Sequence, residues 1–189
     1  MCTSFMFLAE GFEETEAIAT FDIILRGGIN IKTVYLGTSK LVKGAHGIGI
    51  EADISLDEFL KLDMSVSSES IIVFPGGMPG ATNLRANDAL MEYLMDYYSR
   101  GGKVAAICAA PSVVLSVLPL EGTKMTCYDG FEDAIREKDG IYTGEDVVNH
   151  NRIISAKGLG QAVDFGLNIV ADLVGVDKAK EISKSIMLN

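Results

Sequence analysis

The chain has 189 residues, 48% of them hydrophobic, and a formal net charge of −10. That length and apolar content fit one well-packed globular domain over residues 1–189. The acidic balance argues against nucleic-acid binding by bulk electrostatics, which needs clustered Lys and Arg. No apolar stretch has the length of a membrane span, and the N-terminus lacks the basic region of a signal peptide. Three cysteines, Cys2, Cys108 and Cys127, form no C-x-x-C pair. A reducing cytoplasm is therefore the expected setting, with neither a disulfide framework nor a thiolate metal site.

In chain order, Ser4 to Ala9 is a short apolar strand that stops at Glu10-Gly11. Glu13, Glu14 and Glu16 then open a helix whose apolar positions (Ala17, Ile18, Phe21, Ile24, Leu25) recur at helical spacing. Acidic residues in a first turn complement the positive end of the helix dipole. Gly27-Gly28 ends the helix and Ile29 to Leu36 reads as a second strand, giving a strand–helix–strand unit. The glycines at 44, 47 and 49 predict a small hairpin with a bulge. Ser55-Leu56-Asp57-Glu58 has the serine cap and early acids of a short helix.

Ile71 to Phe74 is a buried strand running into Pro75-Gly76-Gly77-Met78-Pro79-Gly80, and periodicity predicts one helix over 83–100. Later strands are expected at Lys124 to Tyr128 and Arg152 to Ala156, with a turn at Asp139-Gly140. Asn149-His150-Asn151 reads as a polar turn with a structural His. Helices are expected at Gln161 to Leu173 and from about Asp177 to Met187. The alternation predicts a doubly wound sheet with ligands at the carboxyl edge.

The run Lys103 to Ser112 is the centre of that pattern. Val104 to Ile107 suits a buried strand; Cys108 follows, then small residues, Pro111 and a helical run through Leu115. A strand turning at one polar residue into a helix has the logic of a nucleophile elbow. The helix N-terminus is expected to lower the pKa of the Cys108 thiol. An inert buried cysteine is the competing reading; the junction position favours function. Glu16 and Gly76-Gly77 fall at neighbouring strand ends and converge on the same crevice. A glycine pair there lets backbone N–H groups approach an oxyanion, and a carboxylic acid beside a thiolate stays protonated. Taken singly, each of these features is more often an ordinary turn or a solvated helix start.

Together, Leu8-Ala9-Glu10-Gly11-Phe12-Glu13-Glu14-Thr15-Glu16, Pro75-Gly76-Gly77 and Ala105-Ala106-Ile107-Cys108-Ala109-Ala110-Pro111 resemble the ThiJ/PfpI superfamily, in its DJ-1 branch. The resemblance spans almost the whole chain, including Asp22 and the Lys157-Gly158-Leu159-Gly160 segment. Lys157 and Leu159 stand where Arg and Pro are more usual. It implies an α/β flavodoxin-like three-layer sandwich, mostly parallel with helices on both faces, that forms a homodimer. Carried over, Cys108 is the reactive thiol, Glu16 its protonated partner, and Gly77 and Ala109 the oxyanion donors. Gly76, Tyr128, His46 and Asp22 are further pocket candidates.

Three departures matter. Ala109 stands where Cys-His relatives place a His, which removes a peptidase base. Tyr128 stands where the human-type branch has a His, and with a pKa near ~10 it is a poor base. His46 stands where that branch carries an Arg near the pocket; the competing reading is a surface hairpin His. Cys127 reads as a packing residue with room for a second oxidisable thiol. No metal site and no external cofactor are expected. The activity implied is conversion of methylglyoxal or glyoxal, a small α-oxoaldehyde, to the hydroxy acid, with deglycation as a related proposal. The alternative is a redox sensor or chaperone acting through Cys108 oxidation; a peptidase or a thiazole-biosynthesis role ranks below both.

Overall fold

The computed structural model describes residues 3–62 and 66–188; Cys2 lies outside the described residues. The chain opens with strand β1 (Ser4–Leu8), helix α1 (Glu14–Arg26) and strand β2 (Ile31–Tyr35). The two strands pair in parallel from Ser4–Ile31 to Leu8–Tyr35, as the strand–helix–strand pattern requires. α1 starts where Glu13 turns its carboxylate onto the Glu16 N–H, 2.5 Å away. β3 (Leu41–Lys43) and β4 (Gly49–Glu51) form the expected hairpin. Its three pairs are regular, so the predicted bulge is absent and Gly44 and Gly47 lie in the connecting loop instead. β5 (Ile54–Ser55) joins the sheet beside β2, and α2 (Leu56–Phe59) carries the Ser55–Glu58 capping box.

After β6 (Ile71–Phe74), the single helix predicted over 83–100 is two, α3 (Gly80–Arg85) and α4 (Asp88–Ser99). Asn87 divides them because its extended backbone lets the side chain accept from the Leu90 N–H at 2.9 Å. A local cap thus wins over helix continuation. β7 (Lys103–Ile107) leads into Cys108 and then α5 (Ala110–Val113), a single turn followed by a 3-10 segment, Leu115–Val117. The strand expected over 124–128 ends early: β8 (Lys124–Met125) pairs only with β9 (Ile141–Tyr142), across α6 (Asp133–Arg136). Beyond Met125 the backbone turns to the Ser155 hydroxyl, which accepts from the Thr126 N–H at 3.0 Å.

β10 (Val147–His150) and β11 (Ile153–Ala156) are antiparallel. The polar turn read at 149–151 sits further on, at Asn151 and Arg152, both at positive φ. His150 is the last residue of β10, and its Nδ1 accepts from the Lys124 N–H at 3.2 Å, a structural contact. α7 (Ala162–Leu173) and α8 (Val176–Ser185) complete the described elements.

The central sheet runs β10-β11-β7-β6-β1-β2-β5, with only β10 antiparallel. Alternate residues feed two cores. Phe5, Phe7, Phe74 and Ala106 pack with Phe59, Leu94 and Tyr97 on one face. Met6, Leu8, Val73 and Ile107 pack with Ile24, Phe165 and Ile169 on the other. The period-2 side-chain geometry of strands produces this split, so helices are required on both faces. Full burial of each large apolar side chain contributes about 1.5–3 kcal/mol. For function, the consequence is positional. β1, β6 and β7 are adjacent and parallel. Their carboxyl ends therefore deliver the segment before Glu16, the Gly76-Gly77 loop and Cys108 to one edge.

Candidate active site

Cys108 has φ 65, a left-handed conformation that a non-glycine residue adopts at a cost of about 1–3 kcal/mol. Both its backbone groups are pinned: its N–H donates to the Ala156 carbonyl at 3.0 Å, and its carbonyl accepts from the Tyr128 N–H at 2.8 Å. Two bonds from different segments over-determine the strained turn, which is what a nucleophile elbow needs. A side chain at Gly76 has no room: a Cβ would lie 2.5 Å from Cys108 Cβ and 2.7 Å from Glu16 Oε2. Gly77, at φ 87, packs against the Phe12–Glu13 backbone. The same contact is closed by the Glu13 N–H donating to the Gly76 carbonyl at 2.9 Å.

Glu16 is 1% exposed, and its Oε2 accepts from the Gly76 N–H at 2.9 Å. Its carboxyl also hydrogen-bonds the Cys108 thiol, and the N–H groups of Gly77 and Ala109 point to the same sulfur. Burial pushes Glu16 up to about 7, with the Glu13 charge adding and the Gly76 N–H and the thiol opposing. Burial likewise pushes the Cys108 thiol up, ahead of the Glu16 charge, while the Gly77 and Ala109 N–H groups pull it down. The sequence expectation that the following helix lowers this pKa is corrected here. α5 has four residues, too few to build a substantial dipole, so burial dominates. The physical unit is the pair: near neutrality the thiol keeps its proton while the carboxyl gains and loses one.

The remaining candidates separate cleanly. Tyr128 adjoins the elbow through its N–H, and its half-exposed ring lines a cleft of about 580 Å³ with Asp129, Lys157 and Leu159. Lys157 Nζ lies 2.9 Å from Asp129 Oδ1. Asp22 is not part of this site: it pairs with Arg26 at 2.6 Å, one turn along α1, in a separate cleft beside Phe21 and Ile50. His46 is also elsewhere, its Nδ1 2.9 Å from the buried Glu14 carboxylate, because the hairpin loop folds over the start of α1. Cys127 is fully buried beside β8 rather than in a strand, and burial pushes its thiol up to about 12. Sequence reasoning passed over Glu13 and Glu14 as ordinary helix-opening acids. Their signal was burial, which the pattern of a solvated helix start does not reveal.

Known proteins share this architecture. The Caenorhabditis elegans "Glutathione-independent glyoxalase DJR-1.2" is 34% identical over 180 residues, covering 95% of this chain and 92% of that protein. The crystal structure of Drosophila melanogaster DJ-1beta matches with a TM-score of 0.89 at 28% identity, covering 100% of this chain and 98% of the other. Toxoplasma gondii DJ-1, described as oxidized, matches with a TM-score of 0.88 at 27% identity, over 99% and 98% of the two chains. Among the described residues, no helix is long and apolar enough to cross a membrane. The DJ-1/PfpI family model matches residues 4–172. With that match, and an elbow cysteine facing a buried glutamate, the chain belongs to the DJ-1/PfpI family, in its DJ-1 branch.

Proposed function

We propose that the protein is a cofactor-independent glyoxalase that converts small α-oxoaldehydes, methylglyoxal or glyoxal, to the hydroxy acid. The observation that carries this reading is the convergence of three groups on one sulfur: the Glu16 carboxyl and the Gly77 and Ala109 N–H groups. That set supplies a nucleophile, a proton carrier and an oxyanion site, all that the reaction requires. The name of the Caenorhabditis elegans relative supports the same chemistry.

The Cys108 sulfur adds to the aldehyde carbon, its proton passing to the carbonyl oxygen, and a hemithioacetal forms. Glu16 then removes the proton from the former aldehyde carbon to give an enediol, and returns a proton to the neighbouring carbon. The first carbon is thereby oxidised to a thioester and the second reduced to an alcohol, so no external electron carrier enters. Water hydrolyses the thioester and regenerates the thiol. Gly77 and Ala109 N–H groups stabilise the oxyanion, each worth about 3 kcal/mol in comparable sites.

The alternative, redox sensing through Cys108 oxidation, draws support from the oxidized Toxoplasma relative and from the same pair. A homodimer would bury the apolar side chains left exposed on α1 and the hairpin, Ile18, Leu25, Leu41 and Ile48. The deciding measurement follows methylglyoxal loss and lactate formation in metal-free, thiol-free buffer without amines. Wild type should form lactate, with Cys108→Ala inactive and Glu16→Gln slowed by about 10²–10⁴-fold. Aldehyde loss without lactate means adduct formation only, and the redox reading then takes its place.

A further inference from the structure

We propose that Glu13, Glu14 and His46 form a second site, separate from Cys108, that binds one divalent transition-metal ion of the zinc type. The fold brings together residues that sequence spacing keeps apart, His46 lying 32 positions from Glu14. One ligand atom from each of the three residues lies within 4.8 Å of the others. His46 Nδ1 and Glu14 Oε2 are 2.9 Å apart. Ligand atoms on a tetrahedral ion with bonds of about 2.1 Å stand about 3.4 Å from one another, so this edge needs to open by only about 0.5 Å to admit one.

The carboxylates are also aimed. One oxygen of Glu13 is held by the Glu16 N–H at 2.5 Å, which fixes the plane of the group. Glu14 Oε1 accepts from the His46 N–H at 2.7 Å and the Ile48 N–H at 3.3 Å, leaving Oε2 for the ring nitrogen or an ion. Metal ligands are typically oriented this way, by hydrogen bonds on the atom that does not coordinate. The donor chemistry, one imidazole and two carboxylates, suits zinc or cobalt in preference to a soft thiophilic ion. In the isolated chain His46 is exposed while both glutamates are buried, so an ion can enter there from the solvent side and complete its shell with water.

Charge explains why an ion would be taken up. Two buried carboxylates on adjacent residues meet one imidazole ring, and a divalent ion held among the three would compensate both carboxylate charges. On binding, the Nδ1–metal bond replaces the Nδ1–H bond and the proton leaves to solvent. No electron transfer is involved.

The test exploits the histidine content, His46 and His150 alone. Zn²⁺ is titrated into the tag-free protein while the two imidazoles are followed by ¹H–¹⁵N long-range NMR and binding by calorimetry. The expected result is saturation at one equivalent, with the His46 Nδ1 resonance moving to the metal-bound range and His150 unmoved. Affinity should fall by more than about tenfold in His46→Ala and in Glu13→Gln, whose amide oxygen still accepts the Glu16 N–H. It should survive in Cys108→Ala. Binding lost in Cys108→Ala but kept in His46→Ala places the ion on the thiol and overturns the proposal. So does a titration that leaves the His46 resonances unmoved. None of these readouts depends on turnover, so the glyoxalase reading can fail while this site stands.

Discussion

Glu14 and Glu16 lie two residues apart in the first turn of α1, 2% and 1% exposed, yet their carboxyls are shifted in opposite directions. Burial disfavours ionisation of both. At Glu14 it is outweighed by hydrogen bonds from the His46 ring, from backbone N–H groups at His46 and Ile48, and within its own residue, which hold the carboxyl at about 2. At Glu16 the Gly76 N–H and the Cys108 thiol are too few, and the carboxyl rises to about 7. Each acid also rests on a glycine. A Cβ on Gly44 would overlap the Glu14 carboxyl, and one on Gly76 would press on Glu16 and Cys108. The lesson is that donors and burial compete at each carboxylate: the donors win at Glu14, and burial wins at Glu16. One helical turn therefore provides both a fixed anion and a proton carrier.

The sharpest way to break the Glu16 half of this contrast is Gly76→Ala. The added methyl would meet Cys108 Cβ at 2.5 Å, Glu16 Oε2 at 2.7 Å and the Ile107 carbonyl oxygen at 2.9 Å. Only the carboxylate tip can swing away; the other two atoms belong to the elbow itself. Overpacking at a site that cannot yield costs about 3 kcal/mol, and the displaced Glu16 should remove measurable lactate formation. Calorimetric melting and the lactate assay together check this. Wild-type melting and turnover in Gly76→Ala would mean that Glu16 is not held against the sulfur.

Why one half of the contrast was legible in the sequence and the other was not follows from what each rests on. The elbow is a local pattern: an apolar strand after Gly101-Gly102, one polar residue, small residues and Pro111. Periodicity 2 and 3.6 give the strands and most helices for the same reason. The break at Asn87 was missed because a cap and a helix interior use the same apolar periodicity on either side. The short β8 was missed because strand length depends on a partner, and its partner β9 has two residues. Glu14 was invisible as a special group because its donors come from the hairpin loop, a long-range contact. Asp22, a pocket candidate only by resemblance, lines a cleft of its own and has Arg26, one turn on, as its partner.

The charge contrast itself can be measured as opposite slopes of stability against pH. Glu16 has a raised pKa in the folded state, so between about 4.5 and about 7 the native protein keeps a proton that the unfolded chain has released. Its contribution is fully present below the unfolded value and is lost as pH rises through the folded one. Urea unfolding of metal-free wild type and Glu16→Gln at pH 4.5 and pH 8 isolates that share. Wild type should lose on the order of 3 kcal/mol relative to Glu16→Gln across the window. A wild type that gains on the variant instead would show Glu16 ionised and well paired in the fold.

Glu14 gives the smaller effect and the reverse sign. Its lowered pKa means that the unfolded chain binds a proton first as pH falls from the usual 4.5 towards 2, so the stability it adds above that window drains away in acid. Glu14→Gln keeps an acceptor oxygen for the His46 and Ile48 N–H groups and removes only the charge that the His46 ring recognises. The penalty at pH 7 should therefore be modest, about 1–2 kcal/mol, and should shrink between pH 5 and pH 3 in the same urea experiment. A penalty that does not change with pH would mean that the side chain acts through packing alone. The two acids would then differ in surroundings but not in charge, and the argument that donors outweigh burial would fail at the residue where the donors are most numerous.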